Sequence, residues 1–215
     1  MIVYSCVFGL TDPLHDPKVT GNARFVCFTD QPIESRVWEI IQVPKQEAPT
    51  RTARMAKALS HHLFPREEWA LWMDANFTLQ VDPDSLKHHG EFVNFVHADR
   101  HCITDEAVEI VKLGKGKERC IKRQLATYQA DGFDTAENPQ GVLSCNGVIL
   151  RRHSDEVKAV NDRWAGELAY HTLRDQMSLD YACWREGFTL SKWPGFHRSC
   201  PYFGYKSFQR PTNDF

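Results

Sequence analysis

The sequence predicts an α/β fold with a mostly parallel central sheet flanked by helices. Three observations carry this expectation: apolar runs of strand length recur along the chain, segments of helical spacing lie between them, and 215 residues suit one domain rather than two. The runs are nearly continuous rather than alternating, which suits strands covered on both faces.

Ile2 to Phe8 is rich in Ile, Val, Tyr and Phe and is stopped by Gly9 and the turn formers Asp12-Pro13, so it is expected to be the first strand. Arg24 to Phe28 repeats the pattern up to Thr29-Asp30-Gln31-Pro32, and Val37 to Val43 is a third candidate ended by Pro44. Residues 69–73, 92–96 and 142–150 supply three more. From Thr52 to Phe64 the spacing turns helical: Met55, Ala56, Leu59 and Leu63 fall within roughly 100° of arc, and Arg51, Arg54, Lys57 and His61 occupy another face. Pro65 ends that helix. Residues 104–113 and 118–131 follow as helices separated by Gly114 and Gly116, the second closed by Gly132. Ser154 is placed to cap a helix carrying Val157, Val160, Trp164 and Leu168, and a last helix runs from about Asp175 to near Gly187. Residues 1–215 form one domain in this reading, with 190–215 an irregular aromatic tail folded over a cleft. In such a fold, ligands bind beyond the carboxyl ends of the strands.

With 26 basic against 28 acidic residues and ordinary Gly and Pro content, collagenous, disordered and strongly polyanion-binding classes are disfavoured. No apolar run approaches the roughly 20 residues that cross a bilayer. The amino terminus has no basic region followed by a long apolar stretch, so a cytoplasmic protein is expected. Seven widely spaced cysteines without a C-x-x-C pair read as reduced thiols that act as small core residues. The basic run Lys112, Lys115, Lys117, Arg119, Lys122, Arg123 reads as a solvated face rather than a nucleic-acid surface.

The most informative stretch is Trp69 to Asn76, where an unbroken apolar strand delivers Asp74 and Asn76 at its carboxyl end. Residues i and i+2 of extended chain point to one side, so both oxygens are placed to face a divalent cation that also binds a diphosphate. A plain turn after a strand also favours Asp and Asn. On the helix before this strand, Arg51 and Arg54 are either phosphate clamps or a solvated face, while Lys57 and His61 read as solvated. Asn146-Gly147 interrupts the apolar run 142–150, which marks either close approach of a ligand or another backbone, or a hairpin turn. Asp175 is either a helix cap or, with Gln176, a ligand-facing group, and His197 lies in the aromatic tail.

These residues resemble a known family. The stretch 51–86 is similar to the core of the glycosyltransferase-like family once catalogued as domain of unknown function 616. A basic helix leads there through His61 or His62 and Leu63-Phe64-Pro65 to Trp72-Met73-Asp74 and then Val81-Asp82-Pro83. Gln124, Tyr128 and Gly132 resemble its Q-x-x-x-Y-x-x-x-G segment, and Arg174-Asp175-Gln176 its R-D-Q motif. The resemblance covers roughly residues 1–190. It implies a GT-A-like, Rossmann-type domain that binds a nucleoside-diphosphate sugar, such as a UDP-sugar, with Asp74-Ala75-Asn76 standing for a D-x-D motif that holds Mn²⁺ or Mg²⁺. Asn at the second position departs from that motif and lowers the charge of the site. Asn146-Gly147-Val148 also resembles the acceptor-side strand of family 8 retaining glycosyltransferases, whose late His ligand makes His197 a metal candidate beside Asp74 and Asn76.

The resulting expectation is a metal-assisted, retaining glycosyltransferase. Asp175, Gln176 and Asn146 would act at the sugar, and Phe8, Gly9, Thr11, Asp30, Arg51, Arg54, Asp74 and Gly147 would hold the donor. The acceptor hydroxyl is unidentified: a glycan, a protein, a lipid-linked sugar or modified DNA. Two rivals stand beside it. A sugar nucleotidyltransferase would ordinarily show a Gly-rich phosphate loop after the first strand, which is absent, and a non-catalytic sugar-nucleotide or glycan-binding module is compatible with Asn76.

Overall fold

The computed structural model describes residues 1–9 and 13–206. In chain order it runs β1 (Ile2–Val7), β2 (Arg24–Thr29), β3 (Glu39–Gln42), α1 (Pro49–Ala58), α2 (Ser60–Leu63), β4 (Trp69–Met73), β5 (Phe77–Leu79) and β6 (Phe92–Val96). There follow α3 (Ile103–Lys112), α4 (Glu118–Ala130), β7 (Ser144–Arg152), α5 (Asp155–Tyr170), α6 (Leu179–Arg185), β8 (Ser191–Lys192) and β9 (Phe203–Tyr205). Single 3-10 segments span Pro83–His89 and Asp175–Met177.

Seven strands form the central sheet in the order β3-β2-β1-β4-β7-β6-β8, mostly parallel and Rossmann-like. Only β7 runs against its neighbours, pairing antiparallel with both β4 and β6. The near-continuous apolar runs have the expected cause, since both faces of the sheet are covered. On one face Ile2, Tyr4, Val26, Ala70, Trp72 and Ile149 pack against Ala58 of α1, Val157, Val160, Trp164 and Leu168 of α5, and Leu179 and Ala182 of α6. On the other, Val3, Phe25, Leu71, Met73, Phe95 and Val148 meet Phe77, Leu79, Phe203 and Trp193. A third cluster joins α3 and α4 to Met177 and Tyr181.

Several boundaries differ from the sequence reading. The helix expected over Thr52 to Phe64 begins three residues earlier, with Pro49 in its first turn, and breaks at Leu59 (φ −97°, ψ 43°) into α1 and α2. Val37 to Val43 contributes only Glu39–Gln42 to the sheet, because Trp38 turns inward to stack edge-on against Phe25. Ser154 does precede α5, but its hydroxyl donates to Glu91 rather than capping the helix. The final helix splits into the 3-10 segment and α6, and Asp175 is no helix cap: its carboxylate is committed to Arg54 and Lys57.

Within its described part the aromatic tail carries two short strands. β8 adds to the edge of the main sheet beside β6, and β9 pairs antiparallel with β5. Trp193 is buried and its indole N–H donates to the Val148 carbonyl at 3.4 Å. Residues 207–215 of the tail lie outside the described residues. All seven cysteines are free thiols. Lys112 and Lys122 pair with Glu109 and Glu118 on exposed helix surface, as a solvated face would. Among the described residues, no helix is long and apolar enough to cross a membrane.

Candidate active site

At the carboxyl end of β4 lies an open cleft of ≈ 170 Å³. Eight of the expected residues line it: Arg54, Asp74, Asn76, Asn146, Gly147, Asp175, Gln176 and His197. Topology explains the convergence. Because β7 is reversed, its amino-terminal end meets the carboxyl end of β4, and the ladder continues one residue past the strand through Asp74 N–H donating to the Gly147 carbonyl at 2.8 Å. Asn146-Gly147 therefore belongs to a strand beside the cleft and not to a hairpin.

The centre of the site is Lys57, which the helical wheel assigns to solvent and the structure buries to 1% exposure. Its ammonium donates to Asp74 Oδ1 at 2.9 Å, Asp175 Oδ2 at 3.0 Å and the Asn146 carbonyl at 2.9 Å, and it stands over the Trp72 ring. All three N–H donors are thereby used. The residue points away from the apolar stripe of α1, but that side is covered by the Asp175 segment, which joins the chain 118 positions later. The available signal was Ala53, Ala56 and Ala58, small residues on more than one side of α1 that allow close packing all round.

Asp175 also accepts from Arg54 Nη1 at 2.9 Å. Burial alone would raise its carboxyl, but Arg54, Lys57 and Arg174 together outweigh burial and hold it at about 2. Arg174 lines the cleft beside it and is anchored to buried Glu106. Neither Lys57 nor Arg174 was assigned a role from the sequence.

Asp74 is braced through one oxygen, Oδ1, which takes the Trp72 indole N–H at 2.7 Å as well as Lys57. Its other oxygen lies beside Gly147, 3.7 Å from where a β-carbon would stand. That β-carbon would also meet the Phe77 ring at 2.7 Å. Gly147→Ala is therefore expected to destabilise the fold by about 1–3 kcal/mol through overpacking, read as a lower urea midpoint at unchanged slope. An unchanged midpoint would mean that the ring moves aside freely.

A chain of buried polar groups orients Asn146. Lys192 can only donate, and it donates to Asn94 Oδ1 at 2.8 Å, so the Asn94 amide N–H₂ faces Asn146 Oδ1 at 2.9 Å. Among the described residues, the Asn146 N–H₂ is left as a buried donor without a partner and Asn76 Oδ1 as a buried acceptor without one. Gln176 lines the cleft and makes no side-chain hydrogen bond among the described residues.

Asp74, Asn76 and His197 do not fit a divalent cation. One Asp74 oxygen is held by an ammonium and an indole, and Asn76 adds only a neutral oxygen. His197 stands with Nε2 3.2 Å from Arg198 Nε and Nδ1 3.9 Å from the Cys145 thiol, and burial and the Arg198 charge push its pKa down. Among the described residues, the only three His, Cys, Asp or Glu side chains with ligand atoms within 4.8 Å of one another are His61, His62 and Asp162. None of these lines the cleft, and Asn161 donates to His61 Nδ1, which leaves the ring proton on the nitrogen facing Asp162.

The remaining donor candidates among the described residues stand apart from the cleft. Phe8 is buried, and Gly9, at φ +67°, donates its N–H to Asp30 Oδ1 at 2.8 Å. Asp30 also takes the Gln31 amide and the Gln46 N–H, which lower its pKa and commit it to bracing loops. Arg51 is exposed on the first turn of α1, and Thr11 lies outside the described residues.

Two curated relatives are similar to the chain. One is a probable hexosyltransferase, MUCI70, of Arabidopsis thaliana, 25% identical over 216 residues that cover 83% of this chain and 36% of the relative. The other is alkaline ceramidase TOD1 of the same plant, 26% identical over 227 residues that cover 84% of this chain and 47% of the relative. The chain thus spans less than half the length of either. A family model described as TOD1/MUCI70, glycosyltransferase-like domain, matches residues 28–191, a span that takes in Arg54, Lys57, Asp74, Asn146 and Asp175. Most of the chain, with every cleft-lining residue but His197 and Tyr205, lies inside that match, and the chain belongs to the TOD1/MUCI70 glycosyltransferase-like domain family.

Proposed function

We propose that the cleft transfers a hexosyl group from a nucleoside-diphosphate sugar to an acceptor hydroxyl, with retention of anomeric configuration. The observation that carries this reading is the convergence of Arg54, Lys57 and Arg174 with Asp74 and Asp175 in one polar cleft at a strand's carboxyl end. Family membership and the relative named a probable hexosyltransferase support glycosyl transfer. A UDP-sugar is the donor suggested by the family resemblance. The lining is mostly charged or amide-bearing, which suits sugar hydroxyls and phosphate better than the long acyl chain of a ceramide.

Each residue has a physical role in this reading. Arg54 and Arg174 stabilise charge growing on the leaving diphosphate. The free Asn146 N–H₂ donates to an oxygen at the reacting centre, and Gln176 and the open Asp74 oxygen bind sugar hydroxyls. Asp175, held at about 2 by its cations, is a weak proton acceptor at neutral pH and steadies the positive sugar carbon instead. The bond from the anomeric carbon to the diphosphate breaks, the acceptor oxygen bonds on the same face, and its proton passes to the leaving phosphate oxygen.

Asp175→Asn is expected to lower turnover by roughly 10- to 100-fold, less than the full loss of a general base, and raising the pH should not restore it. The test incubates the protein with a panel of nucleotide sugars and assays free nucleoside diphosphate, with NMR of early product. Inverted product would make Asp175 the leading general base. Pyrophosphate release would indicate a nucleotidyltransferase, and saturable binding without turnover a binding module.

A further inference from the structure

We infer that this site needs no divalent cation, because its own basic side chains do that work: Lys57 and Arg54 offset the two carboxylates and Arg174 leaves one positive charge in surplus. The inference rests on the glycosyl-transfer reading above. It begins with formal charge. Asp74 and Asp175 contribute two negative charges to the cleft, and Arg54, Lys57 and Arg174 contribute three positive ones; behind the cleft buried Glu106 is shared by Arg174 and Arg100, so the surplus stays at one positive charge. A site that binds a divalent ion ordinarily concentrates uncompensated oxygen ligands. Here both carboxylates already share one ammonium, at 2.9 Å and 3.0 Å.

Position decides which cation does what. Lys57 is sealed from solvent with all three donors occupied, so it has no N–H to offer a phosphate. It is a positioning residue that acts through Asp74 and Asp175. Arg54 is 23% exposed and spends one nitrogen on Asp175, leaving the rest of its fork for the cleft. Arg174 lines the same wall, and its Nε is buried without a partner among the described residues. A diphosphate entering here meets two guanidinium groups and no net negative charge, whereas a divalent ion meets a surplus of positive charge. Asn76 fits this arrangement: an Asp at that position would cancel the surplus, and the amide does not.

The test is calorimetric titration of UDP, GDP, ADP and CDP into the full chain, once in EDTA and once in excess Mn²⁺, together with turnover under both conditions. For whichever nucleotide binds, affinity and turnover should agree within about threefold between the two. Arg54→Gln should weaken binding in EDTA by at least tenfold, and Asn76→Asp should weaken it in EDTA and make it recoverable with Mn²⁺. A loss of tenfold or more in EDTA for the unmodified chain would overturn the inference while leaving glycosyl transfer in place. If none of the four nucleotides binds in either condition, the glycosyl-transfer reading fails and this inference with it.

Discussion

Lys57→Met is expected to cut kcat/KM by roughly 10²–10³-fold and to destabilise the fold by about 3–5 kcal/mol. Both effects have one origin. Removing the ammonium leaves Asp175, 3% exposed, with Arg54 as its remaining close ion-pair partner, and leaves Asp74 Oδ1 with only the Trp72 indole. Asp175 then keeps only one of its two cations in a buried site and Asp74 loses its ammonium, which is costly, and the released side chains lose the geometry that holds the cleft open. Methionine fills nearly the same volume, so packing itself is little changed. Urea unfolding gives the stability and initial rates give the catalytic loss. A variant that unfolds at the normal midpoint and turns over within tenfold of the parent would return Lys57 to an incidental role.

Asp74→Ala should abolish measurable transfer, a loss of roughly 10³-fold, while lowering stability by only about 1 kcal/mol. The asymmetry follows from exposure. Asp74 is 36% exposed at the mouth of the cleft, so the truncated position refills with water, and Lys57 keeps Asp175 and the Asn146 carbonyl. What is lost is the oxygen facing the cleft beside Gly147. Far-UV circular dichroism and the urea midpoint check the fold, and product formation checks the chemistry. Activity above a tenth of the parent would place the sugar elsewhere.

Much of this architecture is written locally. β4 and β6 have the expected boundaries and β1 ends one residue early, because runs that are apolar throughout, as in β4, or but for one residue, Ser5 in β1 and Asn94 in β6, have little choice when both faces of a sheet are covered. The polar groups at the end of β4 were legible for the same reason, since such a strand ends where its first solvated side chain begins. Features made by distant partners were not. The break at Leu59 has no Gly or Pro to announce it. β5, β8 and β9 have three, two and three residues, too few for any periodicity. Lys57 looked solvated because its cover arrives from a segment over a hundred residues away. The alternatives at Asn146-Gly147 were settled only by the register of β7 against β4.

The reversed strand also bears on when the cleft comes into being. β1 to β4 pair in parallel and bring their hydrophobic faces together from the first third of the chain, but two of the three partners of Lys57, at Asn146 and Asp175, are made later. During synthesis the nascent half-sheet therefore carries a lysine and an aspartate that water must solvate. Insertion of β7 between β4 and β6 brings the Asn146 carbonyl to Lys57, and the Asp175 segment, made later still, completes its cover and the cleft wall. The candidate site therefore depends on residues from Asn146 to Asp175, and a chain stalled before residue 144 would hold a partial core without it.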